Sequence, residues 1–203
     1  MVVEPMRDRR MERREATKAE ILEVAWEIVR AEGLGGLSLR DLARRVGMQA
    51  PSLYSYFDSK HAIYDAMFAQ GNLDLLKQLE LAPESDDPDE ILRWTARTFV
   101  SFTTEDPARA QLLFMRTIPG FEPSPESYAL AVRILEGGRA ALARAGLTEP
   151  VHLDLWTAAI SGLGWQQIAN EPDGDRWTRL VDEVVDMYLT HVRRGTRRRR
   201  ARK

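Results

Sequence analysis

The chain has 203 residues, a formal net charge of −2 and a sequence pI near 6.0, and it contains no cysteine. The absence of cysteine excludes disulfides, thiolate nucleophiles and cysteine-based zinc sites. Its 44% hydrophobic and 30% charged residues form a globular composition. No apolar run approaches the ~20 residues of a membrane span, and the first residues lack a secretory apolar segment. We therefore expect a soluble, cytoplasmic protein.

Charge is distributed unevenly along the chain. Residues 1–60 carry 11 basic and 10 acidic side chains, residues 61–192 carry 10 and 21, and residues 193–203 carry 8 and none. Basic ends around an acidic middle are a weak sign of a polyanionic partner, and the alternative is that the ends are simply solvated. We expect residues 1–14 and 196–203 to form basic, disordered tails.

Helical periodicity covers nearly the whole chain. A capping box that begins at Thr17 predicts the start of the first helix, and Gly33 predicts its end. A second helix begins at Ser38 and stops at Gly47, and a third, short helix is predicted over Gln49–Phe57. Since no alternating strand pattern occurs, the sequence predicts an all-α fold.

The remaining helices form a second group. Prolines bound a polar break at residues 82–88, and the last two helices are expected at about Val151–Asn170 and Asp175–Arg194. Their apolar stripes are wide enough for two contacts, with their own domain and with a second copy of the chain. The alternative is burial of both helices in a monomer core. The predicted domains are a three-helix domain at residues 15–62 and a larger helical domain at residues 63–195.

The third helix has a small buried face and a polar outer face. At about 100° per residue, Leu53 and Phe57 lie together, while hydroxyls, phenol rings and a proline ring point elsewhere. With the second helix and the turn at Gly47, this pattern predicts a helix-turn-helix, whose second helix fits the major groove of DNA. Arg40 and Lys60 are placed to reach the same groove. The alternative is an ordinary three-helix subdomain with exposed aromatic residues.

Residues 17–68 resemble the N-terminal domain of the TetR/AcrR family of transcriptional regulators. The resemblance is carried without a gap by Ala31-Glu32-Gly33, Leu37-Ser38-Leu39-Arg40-Asp41-Leu42-Ala43, Val46-Gly47 and Leu53-Tyr54-x-Tyr56-Phe57-x-Ser59-Lys60-x-x-Ile63. The rest of the chain is similar only in architecture. The resemblance implies an N-terminal helix-turn-helix DNA-binding domain and a larger C-terminal helical domain for ligand binding and dimerisation.

The resemblance also implies which residues contact DNA. Positions that face bases or adjoining phosphates are occupied by Gln49, Ala50, Pro51, Ser52, Tyr54 and Ser55. Tyr56 and Lys60 stand at phosphate-contact positions, and Thr17, at the expected cap of the first helix, can donate to a phosphate.

The function implied is that of a dimeric repressor. It would bind a palindromic operator in double-stranded DNA and be released by a small, mainly hydrophobic effector, with no cofactor. An activator of the same family is the alternative, as is a helical protein-binding adaptor. The candidate ligand-binding residues are Trp94, Phe99, Phe102, Phe114, Met115, Trp156 and Trp165. Aromatic residues at helical spacing are also typical of a packed core. The sequence therefore leaves open whether these side chains line a ligand cavity or fill the core.

Nothing in the sequence favours an enzyme. The three histidines, His61, His152 and His191, are scattered and form no metal-binding pair. The glycines at Gly33-x-Gly35-Gly36 follow a predicted helix rather than a strand, which excludes a dinucleotide-binding loop. We expect no catalytic residues and no metal ligands.

Overall fold

The structure, a computed structural model, describes the backbone of residues 5–200 and the side chains of residues 9–195. Within this range the chain forms α-helices and two short 3-10 turns, Leu34–Gly36 and Thr178–Leu180, and no strand, which confirms the all-α prediction. The α-helices are α1 (Pro5–Glu32), α2 (Leu39–Arg45), α3 (Ala50–Tyr54), α4 (Lys60–Leu79), α5 (Pro88–Glu105), α6 (Pro107–Phe114), α7 (Pro125–Arg144), α8 (Pro150–Asn170) and α9 (Val181–Arg200).

The chain divides into two compact units. The first unit comprises the residues up to Gly71 together with Gln111–Tyr128, and the second comprises Asn72–Ala110 and the residues from Ala129 onward. The first unit therefore extends beyond the boundary expected at residue 62 and gains a segment from the middle of the chain. Since α4, α6 and α7 each cross a boundary, residue patterns that are continuous along a helix give no sign of the division.

The first part of α4 is fixed within the first unit by two hydrogen bonds. The Tyr64 hydroxyl donates to the backbone oxygen of Leu34, and burial raises the pKa of Tyr64 to about 12. The Trp26 indole N–H donates to Oε1 of Gln70 at 2.9 Å. These contacts explain why the first unit continues several turns past the start of α4.

The start of α1 differs from the prediction. α1 begins at Pro5, and Thr17 lies within the helix, where its hydroxyl donates to the backbone oxygen of Arg13 at 2.9 Å. Proline is favoured in the first turn of a helix because its missing N–H has no helical partner there. Residues 5–14 and 196–200 are thus helical rather than parts of the expected disordered tails. Residues 1–4 and 201–203 lie outside the described residues.

The core of the second unit is built from α5, α8 and α9. Trp156 packs edge-to-face on Tyr188, with ring centroids 5.3 Å apart. The Tyr188 hydroxyl donates to the backbone oxygen of His152 at 2.8 Å, and burial raises the pKa of Tyr188 to about 12. Around this pair lie Leu92, Ala96, Val100, Ile160, Leu163, Val181, Val185, Leu189 and Val192. Across the part of the chain that the structure describes, no helix is both long and apolar enough to span a membrane.

A close backbone approach brings α8 against α5. A Cβ atom on Gly164 would lie 2.9 Å from the side-chain methyl of Thr103, so only glycine fits without a shift. A Cβ on Gly162 would meet nothing within 4 Å. Mid-helix glycine costs up to about 1 kcal/mol relative to alanine. Packing within the second unit therefore accounts for Gly164 and does not account for Gly162.

Three ion pairs, here called the ion-pair ladder, join α5 to α9. The pairs are Arg193–Asp89 at 2.6 Å, Arg93–Asp186 at 2.6 Å and Arg97–Asp182 at 2.8 Å. Hydrogen bonding to Arg193 lowers the pKa of Asp89, and hydrogen bonding to Arg97 lowers the pKa of Asp182. Both carboxylates therefore stay ionised below the pH at which a free aspartate takes up its proton.

A buried glutamine organises the connection between α8 and α9. Gln167 is 1% exposed, and its amide group donates to the backbone oxygens of Glu171 and Gly174, the latter at 2.9 Å. Its Oε1 accepts the backbone N–H groups of Trp177 at 2.8 Å and Thr178 at 3.3 Å. One side chain thus satisfies four backbone groups of this connection.

Candidate functional sites

A glycine in the left-handed conformation sets the turn between α2 and α3. Gly47 has φ of 74°, a region that side chains with a Cβ rarely adopt. Its N–H donates to Arg44 O at 3.2 Å, and the N–H of Met48 donates to Ala43 O at 2.8 Å. This pair of bonds is the Schellman motif, which closes a helix C-terminus. The predicted stop at Gly47 is confirmed, and the chain passes directly into α3.

α3 is shorter than the sequence predicted. It spans Ala50–Tyr54 instead of Gln49–Phe57. Both the backbone N–H and the hydroxyl of Ser55 donate to the backbone oxygen of Ser52, at 3.1 and 2.7 Å. These bonds tighten the chain to 3-10 spacing and end the α-helix, because a serine hydroxyl competes for backbone acceptors.

Two buried side chains hold α3 on the first unit. Leu53 is 1% exposed and Phe57 is 6% exposed, as the helical wheel predicted. Tyr54, between them, is 50% exposed. The other exposed side chains of the segment are Gln49, Pro51, Ser52 and Ser55, whereas Ala50 and Tyr56 are half-buried. The segment therefore presents hydroxyl, amide and phenol groups outward from a small apolar base.

Five of the ten predicted DNA-contacting residues lie together. Gln49, Pro51, Ser52, Ser55 and Tyr56 line one shallow surface depression with Gly47 and Met48. Lys60 is half-buried, with its Nζ 3.4 Å from Gly35 O and 5.4 Å from the ring centre of Tyr64. Arg40 is exposed in the first turn of α2.

Thr17 does not cap the first helix as the sequence suggested. Its hydroxyl hydrogen is directed to the backbone oxygen of Arg13 inside α1, so this hydroxyl does not cap the helix. A phosphate contact from Thr17 would have to use another group or break this bond. The capping-box pattern misled the prediction because a threonine can also bond backward within a helix.

Arg14 contacts the end of the α3 segment, and the sequence did not predict this contact. Its Nη2 donates to the backbone oxygen of Ser55 at 2.6 Å, and its guanidinium lies 5.0 Å from the ring centre of Tyr56. An arginine at this place satisfies a carbonyl group just after a helix C-terminus and carries charge to the edge of the depression. The only signal in the sequence was the density of arginines before residue 15.

An acidic side chain of α2 pairs with two arginines of the same helix. Asp41 accepts from Arg44 at 2.5 Å and from Arg45 at 2.6 Å, and Arg45 also bonds Glu32 of α1 at 2.7 Å. Hydrogen bonding to Arg44 lowers the pKa of Asp41. Arg44 and Arg45 are therefore partly neutralised within the protein, while Arg40 on the same helix remains exposed.

The second unit contains an open cavity of about 380 Å³. Of the predicted ligand-binding residues, Phe99 and Trp156 line it. The other five do not line it: Phe102, Trp94, Trp165, Phe114 and Met115. Phe102 is fully buried, with the Arg109 guanidinium 3.6 Å from its ring centre, and Met115 is 46% exposed in the first unit. These residues differ because helical spacing marks an apolar face without showing where neighbouring side chains leave a gap.

The cavity wall is mainly apolar and carries a few polar groups. Its apolar part includes Leu76, Ile91, Leu153 and Ile160. Thr95 and Thr157 donate their hydroxyl hydrogens to their own helices, which leaves their oxygen lone pairs free to accept. The guanidinium of Arg133 lies 3.9 Å from Glu80, and Arg144 donates to Ser85 O at 3.2 Å. Among the side chains described, no three histidine or acidic groups cluster as metal ligands.

α7 places two glycines at this wall. Gly137 and Gly138 both line the cavity, and neither has a positive φ. A Cβ on Gly137 would meet nothing within 4 Å, so no packed neighbour demands glycine there. Glycine here lowers helix stability relative to alanine, and packing against neighbours does not account for it.

Comparison with known proteins covers both units. Residues 21–67 match the family model described as bacterial regulatory proteins of the tetR family. A curated HTH-type transcriptional regulator of Mycobacterium tuberculosis is 28% identical over 131 residues, which cover 63% of this chain and 56% of the relative. The chain thus spans just over half the length of the curated relatives with which this similarity is found.

Two solved structures share most of the fold. The TetR family transcriptional regulator PfmR from Thermus thermophilus is 28% identical, with a TM-score of 0.64 over 84% of this chain and 97% of that one. AibR, solved in complex with isovaleryl coenzyme A and operator DNA, is 20% identical, with a TM-score of 0.66 and the same coverage. The second likeness shows the fold alone. The family model falls on the residues that build α2, the Gly47 turn and α3, so this segment of the chain is similar to the tetR family of bacterial regulatory proteins.

Proposed function

We propose that this chain is a transcriptional repressor that binds a palindromic operator as a homodimer and is released by a small, mainly apolar ligand. The observation that carries the proposal is the outer face of α3, where polar side chains are exposed around the buried anchors Leu53 and Phe57. Such a face supplies donors and acceptors for base edges and phosphates. A repressor acts by occupying DNA that polymerase needs, so the proposal requires no further activity of the chain.

A dimer would supply a second copy of the DNA-contacting helix α3. On α8, Val151 and Leu155 are 45% and 42% exposed, and the row continues through the exposed Ala158 and Gly162. On α9, Met187 is 65% exposed within a shallow groove that Glu183, Thr190, His191 and Arg194 also line. The exposed apolar row on α8, together with the exposed Met187 on α9, favours a symmetric pairing of these helices with a second copy. Two copies of α3 related by a two-fold axis would then read a palindrome.

The cavity of the second unit has the properties expected of a site for a small, mainly apolar effector. Its apolar wall and few polar groups are typical of small-molecule sites, and AibR, which has the same fold, binds an acyl thioester. α4 contributes Leu76 and Leu79 to the wall and Tyr64 to the first unit, so one continuous helix serves both units. A ligand that favours one arrangement of the two units would change DNA affinity by roughly 5- to 150-fold.

Replacing Tyr54 with alanine tests the DNA-reading face. We expect DNA from upstream of the chain's own gene to bind at least about tenfold more weakly, since an exposed phenol on the groove side contributes roughly 1–3 kcal/mol. Fluorescence anisotropy at two salt concentrations measures the change. Tyr128, which is 53% exposed on α7, provides the matched control, and Tyr128→Ala should bind as the unchanged chain does. Equal affinity of all three proteins, or no DNA binding at low salt, would count against the proposal.

Filling the cavity tests the ligand site. The Gly137→Leu variant places a side chain in open space at the wall and should weaken binding of the apolar dye 1-anilinonaphthalene-8-sulfonate at least fivefold, without loss of DNA affinity. The control is Ala143→Leu, an exposed position on the same helix that does not line the cavity. Dye titration by fluorescence gives the affinities. If Gly137→Leu binds the dye as tightly as Ala143→Leu does, this cavity is not the site that the dye occupies.

A further inference from the structure

α7 contributes a cavity wall that has small residues in its middle and a cation at each end. Arg133, Gly137, Ala140, Ala141 and Arg144 all line the cavity, and all belong to the second unit. At about 100° per residue, these positions fall within an arc of about 100°, and the two arginines lie about 16 Å apart along the helix axis. Between the arginines, this arc carries no side chain larger than a methyl group. The wall therefore leaves room for an elongated ligand beside two cationic groups.

The helices α5 and α8 supply an apolar surface to the same cavity. The lining side chains without polar atoms are Ile91, Phe99, Leu153 and Ile160, joined by the indole of Trp156. Such a surface holds an apolar tail through the hydrophobic effect and offers nothing to a charged head group. A charged part of a ligand must therefore be recognised elsewhere on the wall.

The charges around the cavity do not balance. Of the lining side chains that the structure describes, Arg133 and Arg144 are cationic and Glu80 is anionic, which leaves an excess of positive charge. The guanidinium of Arg133 lies 3.9 Å from the Glu80 carboxylate. Arg144 instead donates to the backbone oxygen of Ser85, a neutral acceptor, and no described carboxylate pairs with it. Arg144 thus keeps its full charge, and most of its N–H donors remain for a ligand.

A structural role for Arg144 does not require its place on the cavity wall. Arg144 lies in the last turn of α7, where a cation interacts favourably with the helix dipole. Any basic residue of that turn, on any face of the helix, would serve this purpose. The two roles are distinguishable, because the dipole affects stability and a ligand contact affects only the affinity for a ligand of the matching charge.

We propose that the effector is an anionic amphiphile with a single apolar tail, and that Arg144 binds its head group. The tail lies along Gly137 and Ala141, against the apolar surface of α5 and α8. The inference rests on the proposed function, because it names the class of effector that the same cavity takes. A guanidinium binds carboxylate and phosphate groups alike through parallel N–H donors. A cationic amphiphile is the lesser fit, because the charged groups of the wall are positive in sum.

The test compares ligands that share a tail and differ in their head group. Isothermal titration calorimetry with the full chain measures the affinities for decanoate, decyl phosphate and decan-1-ol below their micelle-forming concentrations. The Arg144→Gln variant should bind the anions at least about fivefold more weakly, because a charge-assisted hydrogen bond is lost. The same variant should bind the alcohol within twofold of the unchanged chain. A loss confined to decyl phosphate assigns the site to phosphate head groups, and a loss confined to decanoate assigns it to carboxylates.

Four further variants separate charge, place and structure. Arg139→Gln removes an exposed arginine of α7 that does not line the cavity, and it should bind all three ligands as the unchanged chain does. Arg144→Lys keeps the charge and should retain most of the affinity for the anions. Glu80→Gln removes the acid of the wall and should bind the anions about two- to fivefold more tightly, the range of an exposed charge interaction. Gly137→Leu occupies the wall and should weaken binding of the anions and the alcohol alike.

The outcomes for this inference and for the proposed function are separate. Equal affinities of Arg144→Gln and the unchanged chain for the anions, or an equal loss for the anions and the alcohol, overturn this inference alone. Anion binding that leaves the affinity for upstream DNA unchanged, measured by fluorescence anisotropy, overturns the assignment of the amphiphile as effector. No binding of upstream DNA by the unchanged chain at low salt overturns the proposed function, whichever ligand the cavity holds.

Discussion

The Leu53→Ala variant is expected to lose the proposed DNA binding and to keep the proposed dimer. Leu53 is 1% exposed and, with Phe57, is one of two buried side chains in residues 49–57. Truncating a buried leucine costs about 2–5 kcal/mol. A helix of five residues has no independent stability, so this loss should release α3 from its support. Fluorescence anisotropy would show the loss of binding, and sedimentation would show the retained dimer.

Leu73 provides the matched control because it is a leucine on α4 that is 40% exposed. The Leu73→Ala variant should bind DNA like the unchanged chain and unfold at a similar temperature. The comparison with the Tyr54→Ala variant is equally informative. That variant should bind DNA more weakly and should unfold at the same temperature as the unchanged chain. DNA binding by Leu53→Ala within twofold of the unchanged chain would mean that the surface around α3 does not depend on this anchor.

The Gln167→Ala variant should destabilise the second unit by about 2–4 kcal/mol. Its amide oxygen accepts two backbone N–H groups, from Trp177 and Thr178, and its amide nitrogen donates to two backbone oxygens. Each buried polar group left without a partner costs about 1–3 kcal/mol, partly offset where water enters. The unfolding midpoint should fall by roughly 5–10 °C for a chain of this size. Differential scanning calorimetry measures the shift.

The adjacent glutamine offers a control with the same chemistry. Gln166 is exposed and bonds Asn170 on its own helix at 2.7 Å. The Gln166→Ala variant should shift the unfolding midpoint by no more than about 1–2 °C, because surface substitutions rarely exceed about 0.5 kcal/mol. Equal midpoints for the two variants would show that the connection between α8 and α9 does not need the buried amide.

The sequence predicted the helix-turn-helix well because its signals are local. Gly47 lies at a turn that requires a positive φ, and the spacing of Leu53 and Phe57 marks a single buried face. The end of α3 was missed, since it depends on whether the Ser55 hydroxyl turns back to Ser52. The start of α1 was also missed, because Thr17 has the side chain of a cap and the hydrogen bond of a helix interior.

The cavity could not be read from the sequence in the same way. Phe99, Phe102 and Trp156 all lie on apolar helix faces, yet only Phe99 and Trp156 border a gap. Whether an apolar side chain lines or fills a space depends on the sizes of its neighbours from other helices, which sequence spacing does not encode. The clearest local signal was the Gly137-Gly138 pair within α7, where a helix keeps two poor helix formers.

The ion-pair ladder fixes the axial register of α9 on α5. Its polarity is mixed, with an acid on α5 in the Asp89–Arg193 pair and a base on α5 in the Arg93–Asp186 pair. A slip by one helical turn, about 5.4 Å, in one direction would bring Asp186 beside Asp89, and a slip in the other would bring Arg193 beside Arg93. After either slip only one opposite-charge pair could re-form, Asp182 with Arg93 or Asp186 with Arg97, next to one like-charge contact, so the ladder favours the observed register over both neighbouring ones.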